Sequence, residues 1–363
     1  MKNVTPLLAL FLLAASTGGA APEGKRAPGS LTQPFNLGVA AVDVTLSFDD
    51  VQNLNLVSAG LAALVINPVD PLLLGRLPGL VSIPAAFPIK VDISPPPVPL
   101  TGLEFNGIAT VELYTTDLSY TPGTRLRLFS AHDGGDFVDI TREASAGSYR
   151  VRGSQGEFSE FMIVEDNRDS ADVVNAKFVR LSALLTASAG VINATLYGTL
   201  TTELANAQSS WAADDVDAAK TAITAFNTAL AGAGPAEIPQ TWRSIQDVDN
   251  IAGRLQSIAD TLLYSLEDAR DTDLDGVYDW ADNCTQVTNP SQCDTDNDGF
   301  GNHCDADLNN DNTVNTFDLA EMREAFGTSG STAADLNCDN VVNTFDLVYM
   351  RQGFGQAPGP AAP

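Results

Sequence analysis

The stretches DLNNDNTVNTFD (residues 307–318) and DLNCDNVVNTFD (residues 335–346) are near-copies that alternate acidic or amide side chains with other residues. Counted from the first Asp, side-chain oxygens fall at positions 1, 3, 5, 9 and 12, and position 7 can offer a backbone carbonyl. A hard cation such as Ca²⁺ requires oxygen ligands at this spacing. The two stretches therefore predict a pair of calcium-binding loops.

Two further acidic clusters precede this pair, and the alternative interpretation of all four is a solvated, disordered tail. Residues 267–346 hold 19 acidic and two basic side chains, a net charge of −17 that would keep an isolated segment extended. The two near-copies, however, share 15 identities over 21 aligned residues. Apolar positions of a following amphipathic helix recur in both: Leu319/Leu347, Met322/Met350 and Phe326/Phe354. A repeated loop and helix indicates a folded unit.

The first 20 residues have the features of a secretory signal peptide. Lys2 is followed by a short apolar run, Pro6 to Ala15, and by the small residues Gly18-Gly19-Ala20. The run is too short to span a bilayer, and no later stretch reaches 18 apolar residues, although an uncleaved membrane anchor is the alternative. We expect a secreted, extracellular or cell-surface protein without a membrane span after signal cleavage. Sites with dissociation constants on the order of 10⁻⁴–10⁻³ M would be filled there.

All four cysteines lie inside the acidic segment. An even number of cysteines in an exported chain predicts two disulfides, and the spacing alone leaves three pairings open. Thiolates are poor calcium ligands, and the CxxC spacing of zinc sites is absent from the sequence. The net charge of −27 for the whole chain argues against nucleic acid or an anionic membrane surface as a partner.

The remaining sequence predicts two more domains behind a linker at residues 21–34. Residues 35–166 alternate apolar and polar side chains between turn clusters, which predicts an antiparallel β-sandwich-like domain with a hairpin around His132–Asp136. Residues 52–80 are apolar and interrupted by prolines, and they receive no assignment. Residues 168–267 carry four apolar stripes at helical spacing, which predicts a small antiparallel bundle. A groove for a partner helix is the alternative role of these stripes.

Residues 271–305, DTDLDGVYDWADNCTQVTNPSQCDTDNDGFGNHCD, resemble a thrombospondin type 3 repeat. The resemblance rests on the DxDxDG opening, the Asn-Pro-x-Gln centre and the DxDxDGxG ending. It implies a calcium-wrapped segment at 268–305 with almost no apolar core, and disulfides Cys284–Cys304 and Cys293–Cys338. The implied calcium ligands are Asp271, Asp273, Asp275, Asp279, Asp282, Asp294, Asp296, Asp298 and Asp305, with carbonyls of Val277 and Phe300.

Residues 306–356 resemble a type I dockerin, a pair of EF-hand-like loop–helix units, followed by a flexible tail at 357–363. The resemblance implies these ligands: Asp307, Asn309, Asp311, Thr313 (carbonyl), Asn315 and Asp318, then Asp335, Asn337, Asp339, Val341 (carbonyl), Asn343 and Asp346. The usual Gly at position 6 is Asn in both loops, and Asn tolerates the left-handed backbone needed there. Positions 10 and 11, Thr-Phe in both loops, imply either a docking surface for a cohesin-like protein or packing between the repeats.

Nothing in the sequence predicts an enzyme. The chain has two histidines, and it contains neither an HExxH nor a GxSxG motif. A carboxylate pair for glycoside hydrolysis among Glu104, Glu112 and Asp117 is an alternative, because such pairs form only in three dimensions. We expect a secreted, non-catalytic protein that binds several calcium ions and acts in adhesion, display or extracellular assembly. Its expected partner is a cohesin-like or other surface protein, or a glycan. A polysaccharide-binding or polysaccharide-degrading protein with a dockerin address module is the alternative.

Overall fold

The computed structural model describes residues 26–362, so the predicted signal peptide at residues 1–20 lies outside the described part of the chain. The chain divides into two compact units between Leu266 and Glu267, called here the N-terminal unit and the C-terminal unit. Within residues 26–362, no helix has both the length and the apolar character needed to cross a bilayer.

The N-terminal unit contains two antiparallel sheets, which confirms the predicted β architecture. Its strands are β1 (Ala27–Asn36), β2 (Ala41–Gln52), β3 (Leu61–Val65), β4 (Val81–Ser82), β5 (Ile89–Ile93), β6 (Glu104–Asn106), β7 (Ala109–Thr115), β8 (Leu126–Ala131), β9 (Val138–Asp139), β10 (Thr141–Ser145), β11 (Tyr149–Gln155), β12 (Glu160–Asp166) and β13 (Thr241–Arg243). The first sheet has the order β10-β11-β7-β2-β6-β13, with β1 on β2, and the second has the order β3-β5-β12-β8-β9, with β4 on β12.

The alternation seen in the sequence places one face of each sheet in a shared core. In β2, Val42, Val44, Leu46 and Phe48 are buried, whereas most of the residues between them are partly exposed. They belong to the same core cluster as apolar residues of β5 and β12 in the second sheet. Because successive side chains of a strand point to opposite faces, the period of two fixes which face is buried. The predicted hairpin is present, since β8 pairs with β9.

The structure corrects one prediction for this unit, the linker, and adds two observations on its organisation. Residues 27–36, assigned in part to a linker, form β1, whose partner is β2. The unassigned residues 52–80 form α1 (Leu56–Ala59), β3 and α2 (Pro71–Leu74), with Asn55 and Asp70 as the N-caps of the two helices. The β and helical regions were predicted as separate domains, whereas both belong to the N-terminal unit.

Four helices account for the predicted stripes: α3 (Ser170–Ala187), α4 (Ala194–Trp211), α5 (Val216–Gly232) and α6 (Ile251–Asp268). Their apolar stripes, such as Phe178, Leu181 and Leu185 in α3, are buried. The stripes therefore serve core packing. The helical region also contributes β13, which pairs with β6 and so extends the first sheet.

Close backbone contact joins α6 to the β region. A Cβ atom added to Gly253 would lie 2.0 Å from the carbonyl oxygen of Gly107, and one added to Gly156 would lie 2.4 Å from the backbone nitrogen of Arg254. The buried side chain of Asn250 donates hydrogen bonds to the carbonyls of Gly107 (2.7 Å) and Gly156 (3.0 Å). Side chains larger than hydrogen at these two glycines would separate α6 from the sheets.

A buried ion pair makes a second connection between helices and strands. Lys177 of α3 and Asp139 of β9 are each 5% exposed, and Nζ lies 2.5 Å from Asp139 Oδ2. Lys177 Nζ also donates to the Thr261 hydroxyl (2.6 Å) and the Ser265 hydroxyl (2.7 Å) of α6. One ammonium group thus connects two helices with the second sheet. This pairing is one of the contacts that join the helical region to the sheets.

The C-terminal unit has little apolar core. Its helices are α7 (Thr316–Ala325) and α8 (Asp346–Gly353), and each begins in the last residues of one of the two near-copy loops. The core consists of seven buried apolar residues: Ala306, Val314, Met322, Ala334, Leu336, Val342 and Met350. The described part of the predicted flexible tail is instead bound to this unit. The Ala362 amide donates to the Asp282 carbonyl (2.7 Å), and the Pro360 carbonyl accepts from the Thr285 amide (3.0 Å).

Candidate metal centre

All four acidic clusters adopt one backbone conformation. Positions 4 and 6 of each loop are left-handed: Leu274 and Gly276 (φ 59° and 92°), Asn297 and Gly299 (60° and 101°), Asn310 and Asn312 (55° and 67°), Cys338 and Asn340 (55° and 68°). Asn at position 6 therefore reaches the left-handed backbone that Gly provides in the first two loops, as the sequence predicted. The clusters at 271 and 294 can be numbered like the near-copies, with Asp282 and Asp305 at position 12.

The first two loops bring three carboxylates each into a single cluster. Carboxylate oxygens of Asp271, Asp273 and Asp275 lie within 4.8 Å of one another, and so do those of Asp294, Asp296 and Asp298. Backbone amides hold the first carboxylate in both loops: Gly276 donates to Asp271 Oδ2 (2.9 Å) and Gly299 to Asp294 Oδ2 (3.2 Å). The left-handed turn at position 6 thus directs its amide toward the side chain at position 1.

The two near-copy loops arrange their first three ligand candidates in the same way. The Asp311 amide donates to Asp307 Oδ1 (3.1 Å) and to Asn309 Oδ1 (3.0 Å), which brings the oxygens of positions 1 and 3 together. In the fourth loop, residues 335–346, the Asp339 amide donates to Asp335 Oδ1 (3.1 Å) and to Asn337 Oδ1 (3.0 Å). The position 5 carboxylate in turn accepts from the amide of position 7, Thr313 or Val341.

Position 12 is a buried carboxylate in every loop. Asp318 and Asp346, both fully buried, accept from the amides of positions 3 and 9 at 2.7–3.2 Å. Asp282 and Asp305 are 1% and 7% exposed at the equivalent positions. Each loop therefore closes on a carboxylate from its own end, as a loop that encloses a cation must.

Several of these carboxylates have a buried oxygen that the protein leaves without a hydrogen bond and that a bound cation would neutralise. Buried Oδ2 atoms of Asp273, Asp282 and Asp307 have no hydrogen-bond partner within the described residues. Leaving a charged oxygen buried and unpaired is costly unless a cation neutralises it. The donor set consists of carboxylate, amide and carbonyl oxygens, which suits Ca²⁺ and excludes a soft metal. These residues therefore fit calcium.

The electrostatics of the clusters agree with that fit. Burial, together with the neighbouring charges of Asp275 and Asp282, raises the pKa of Asp273 to about 6. Burial and the nearby Asp298 and Asp296 raise the pKa of Asp305 to about 7. Carboxyls crowded in this way resist ionisation until a positive charge is placed among them.

The side chains at position 9, which are predicted ligands, also make hydrogen bonds within their own loops. Both oxygens of Asp279 accept from Thr272, through its amide (2.7 Å) and its hydroxyl (2.6 Å). The oxygens of Asn315 and Asn343 accept from the Phe317 and Phe345 amides, and Asn315 thereby caps α7. These side chains stabilise loop and helix ends, and a position 9 ligand often acts through water.

Asn302, at position 9 of the second loop, was not singled out from the sequence. Its side chain is buried and accepts from the Thr295 amide (2.8 Å), as Asp279 does from Thr272. It also donates to the carbonyl of Asp335 (3.0 Å), the first residue of the fourth loop. Numbering the 294 cluster like the near-copies would have identified it.

Two disulfides connect the loops, and their pairing is the one implied by the thrombospondin resemblance. Cys284 is bonded to Cys304 across 20 residues, and Cys293 to Cys338 across 45. The second bond attaches the cluster region 271–305 directly to the fourth loop. Cys338 occupies position 4, which is not a ligand position, so its sulfur does not compete with the oxygens.

The Thr-Phe pairs at positions 10 and 11 are exposed. Phe317 and Phe345 have 71% and 67% of their surface accessible, so they do not pack between the repeats. At the other ends of α7 and α8, Phe326 and Phe354 are 46% and 45% exposed. The duplicated unit thus presents two equivalent aromatic positions to solvent.

The three carboxylates considered for glycoside hydrolysis have structural partners. Glu112 bridges Arg150 and Arg152, and Glu104 bonds Arg26 and lies 3.5 Å from Arg243. Asp117 accepts from the Ala41 amide at 2.7 Å. These contacts hold neighbouring strands and connections together.

In sequence order, a unit of two sheets and helices is followed by a unit of loops that fit calcium. A family model matches part of each unit. Residues 305–354 match the dockerin type I domain. Residues 26–270 match a family of unknown function, DUF6689, and the chain belongs to that family. The two matches leave residues 271–304 outside both.

Among solved structures, three chains match this chain. One of them is described as the type II cohesin-dockerin domain from Bacteroides cellolosolvens, with 36% sequence identity over 14% of this chain and 85% of that chain. Its TM-score of 0.14 is too low for a structural argument. No curated protein matches the chain.

Replacing the carboxylate at position 12 is expected to remove one ion from its loop. In Asp318→Asn or Asp346→Asn, the amide retains one acceptor and loses the charge, which we expect to cost about 1.5–3 kcal/mol, roughly ten- to a hundredfold in affinity. Isothermal titration with calcium would measure this loss. Glu321→Gln, an exposed change of equal charge on α7, is the control. Equal affinity and stoichiometry in Asp318→Asn and the control would contradict the assignment.

Proposed function

We propose that this protein is secreted and non-catalytic, and that its C-terminal dockerin attaches it to a cohesin-bearing extracellular protein. The N-terminal unit would then be the part that is displayed. The observation that carries the proposal is the pair of equivalent loop–helix units, each with a buried position 12 carboxylate and an exposed Thr-Phe pair. The match of residues 305–354 to the dockerin type I domain supports the choice of partner.

Calcium would act in this proposal by fixing the loops that carry the docking residues. The ions would be held by the carboxylates and amides of positions 1, 3, 5 and 12, together with the carbonyls of position 7. Because positions 10 and 11 follow the ligands directly, the presentation of Phe317 and Phe345 depends on the closed loop. Docking would therefore require calcium.

We also propose that residues 268–305 form a calcium-wrapped segment of the thrombospondin type 3 kind. Two carboxylate triads, the shared backbone turns and the two disulfides support this assignment. Its role would be to extend the calcium-dependent structure of the dockerin toward Glu267. Binding of more than two ions by the whole chain is the consequence that distinguishes this segment from a linker.

The structural partners of Glu104, Glu112 and Asp117 support a non-catalytic role, since a general acid or base needs a carboxyl free to exchange a proton with substrate. The proposed activity is therefore attachment and display in an extracellular assembly. Hydrolysis of a polysaccharide by the full-length chain, abolished by Glu112→Gln, would overturn this part of the proposal.

The docking surface is tested by a double substitution. Because the repeats are near-copies, a single change leaves one aromatic position intact, so Phe317→Ala and Phe345→Ala are combined. Aromatic anchors at interfaces contribute about 2 kcal/mol or more each, so we expect retention on immobilised type I or type II cohesin modules to fall by roughly thirtyfold or more. Stability should change by no more than about 0.5 kcal/mol, since both rings are exposed.

The matched control is Phe326→Ala combined with Phe354→Ala, two exposed rings at the other ends of the same helices. We expect the control to bind as the wild type does in calcium, and both proteins to be released by chelator. Failure of the wild-type chain to bind any cohesin in calcium would contradict the proposed partner. Equal losses in the two double variants would contradict the docking surface.

A further inference from the structure

A cavity of about 220 Å³ lies in the N-terminal unit, between the ends of three strands and α3. Ser130 and Gln155 line it from the ends of β8 and β11, His132 from the turn after β8, Glu157 from the connection to β12, and Arg180 from α3. None of these residues belongs to the calcium-binding loops. At ~30 Å³ per water molecule, the cavity has room for roughly seven waters, or for a single-ring organic molecule.

Arg180 is the unusual member of this lining. Its guanidinium forms no hydrogen bond or salt bridge with the residues described at 26–362, and burial lowers its pKa, while the charge of Glu157 acts in the opposite direction. The carboxylate of Glu157 is shared elsewhere, 3.5 Å from Arg254 Nε and 3.8 Å from His132 Nε2. The Arg180 guanidinium is therefore a partly buried cation at the wall of the cavity whose hydrogen-bond donors are not used by the protein, which suits it to pair with an anionic ligand.

The rest of the lining is prearranged and mixed in polarity. His132 Nδ1 donates to the Phe158 carbonyl (3.0 Å), which fixes the ring, and Gln155 donates to the Ser130 hydroxyl. Val138 and Phe158 add apolar surface. A few positioned polar groups against an apolar wall are typical of sites for small organic ligands.

We propose that this cavity binds a small organic monocarboxylate with hydroxyl groups, such as a single sugar acid, whose carboxylate pairs with Arg180. A planar guanidinium matches a carboxylate in a two-bond geometry, and the Ser130, Gln155 and His132 side chains suit hydroxyls. Glu157 and Asp136 line the same cavity, so a doubly charged phosphate meets more repulsion there than a singly charged carboxylate does. This site is independent of the dockerin.

The test is calorimetric titration of the full-length, calcium-loaded protein with D-glucuronate, D-glucose and inorganic phosphate. We expect glucuronate to bind and the other two to bind at least tenfold more weakly. Arg180→Gln should weaken glucuronate binding at least tenfold without lowering the melting temperature, because an unpaired cation is removed. Arg142→Gln, a half-exposed arginine outside the cavity, should bind glucuronate as the wild type does.

Absence of glucuronate binding in the wild type would overturn the proposal, and so would glucose or phosphate binding of equal strength. Unchanged affinity in Arg180→Gln would overturn the role of the guanidinium. Arg180→Lys covers the case in which the Gln variant fails to fold. It keeps the charge and loses the two-bond geometry, so weaker glucuronate binding supports the proposal, and wild-type affinity contradicts it.

Discussion

Removing calcium from the full-length chain is expected to unfold residues 267–363 and to leave the N-terminal unit folded. Six aspartates of the C-terminal unit are buried: Asp282, Asp305, Asp307, Asp318, Asp335 and Asp346. Without cations, their desolvation and the net charge of −17 over residues 267–346 oppose a core of seven apolar residues. Each ion that binds only the folded state contributes about 2.7 kcal/mol at a hundredfold excess over its dissociation constant.

Hydrogen exchange with mass-spectrometric readout is the suitable measurement for this prediction. The helices α7 and α8 have 10 and 8 residues against 18, 18, 17 and 18 in α3–α6, so circular dichroism of the whole chain would respond weakly. In chelator, amides of residues 307–353 should exchange within seconds, while those of β2, β7 and β12 stay protected. Magnesium should restore the protection poorly. Protection of α7 and α8 that persists in chelator would contradict the prediction.

Replacing Lys177 with methionine is expected to destabilise the N-terminal unit by about 3–5 kcal/mol. The substitution leaves the Asp139 carboxylate buried without its partner and leaves the Thr261 and Ser265 hydroxyls without theirs. Burial by itself would raise the pKa of Asp139, yet the ammonium of Lys177 lowers it below its usual range. Urea unfolding of the full-length protein in calcium would measure the loss.

Two further variants separate the ion pair from a general effect of losing a lysine. Combining Lys177→Met with Asp139→Asn removes both charges, and we expect it to recover part of the stability, because no uncompensated carboxylate remains. Lys220→Met, on α5, should cost less than about 1 kcal/mol. Similar losses for Lys177→Met and Lys220→Met would show that the buried pair does not hold the helices to the sheet.

The loops could be predicted in detail because their function imposes a residue pattern. Spacing alone predicted ligands at positions 1, 3, 5, 9 and 12 and a carbonyl at position 7, and the left-handed backbone of Asn312 and Asn340 was expected from the missing glycine. The calcium assignment of individual residues stays a prediction for the titrations above. The hydrogen bonds of position 9 could not be predicted in the same way, because Asp and Asn serve equally well as a ligand, a helix cap or a loop clamp.

The N-terminal unit was less predictable, because its decisive contacts are between residues distant in sequence. Strand β1 contains Pro28 and Pro34, which suggested a linker, but proline is tolerated in a strand that pairs on one side. Lys177 and Arg180 look like ordinary polar positions of an amphipathic helix. Only the fold places one beside Asp139 and the other at a cavity. The pairing of β13 with β6, which joins the helical region to the first sheet, could not be expected from the sequence either, since β13 is three residues long.

Native mass spectrometry of the full-length chain in calcium tests most directly whether bound calcium stabilises the C-terminal unit, because it counts the bound ions. We predict at least four calcium ions per chain, one for each loop with left-handed residues at positions 4 and 6. At a calcium concentration that just fills the wild type, Asp318→Asn should reduce the count by one, and Glu321→Gln should leave it unchanged. Fewer than four ions at saturating calcium would contradict the assignment of one ion to each loop, because at least one of the four loops would then be folded without a cation.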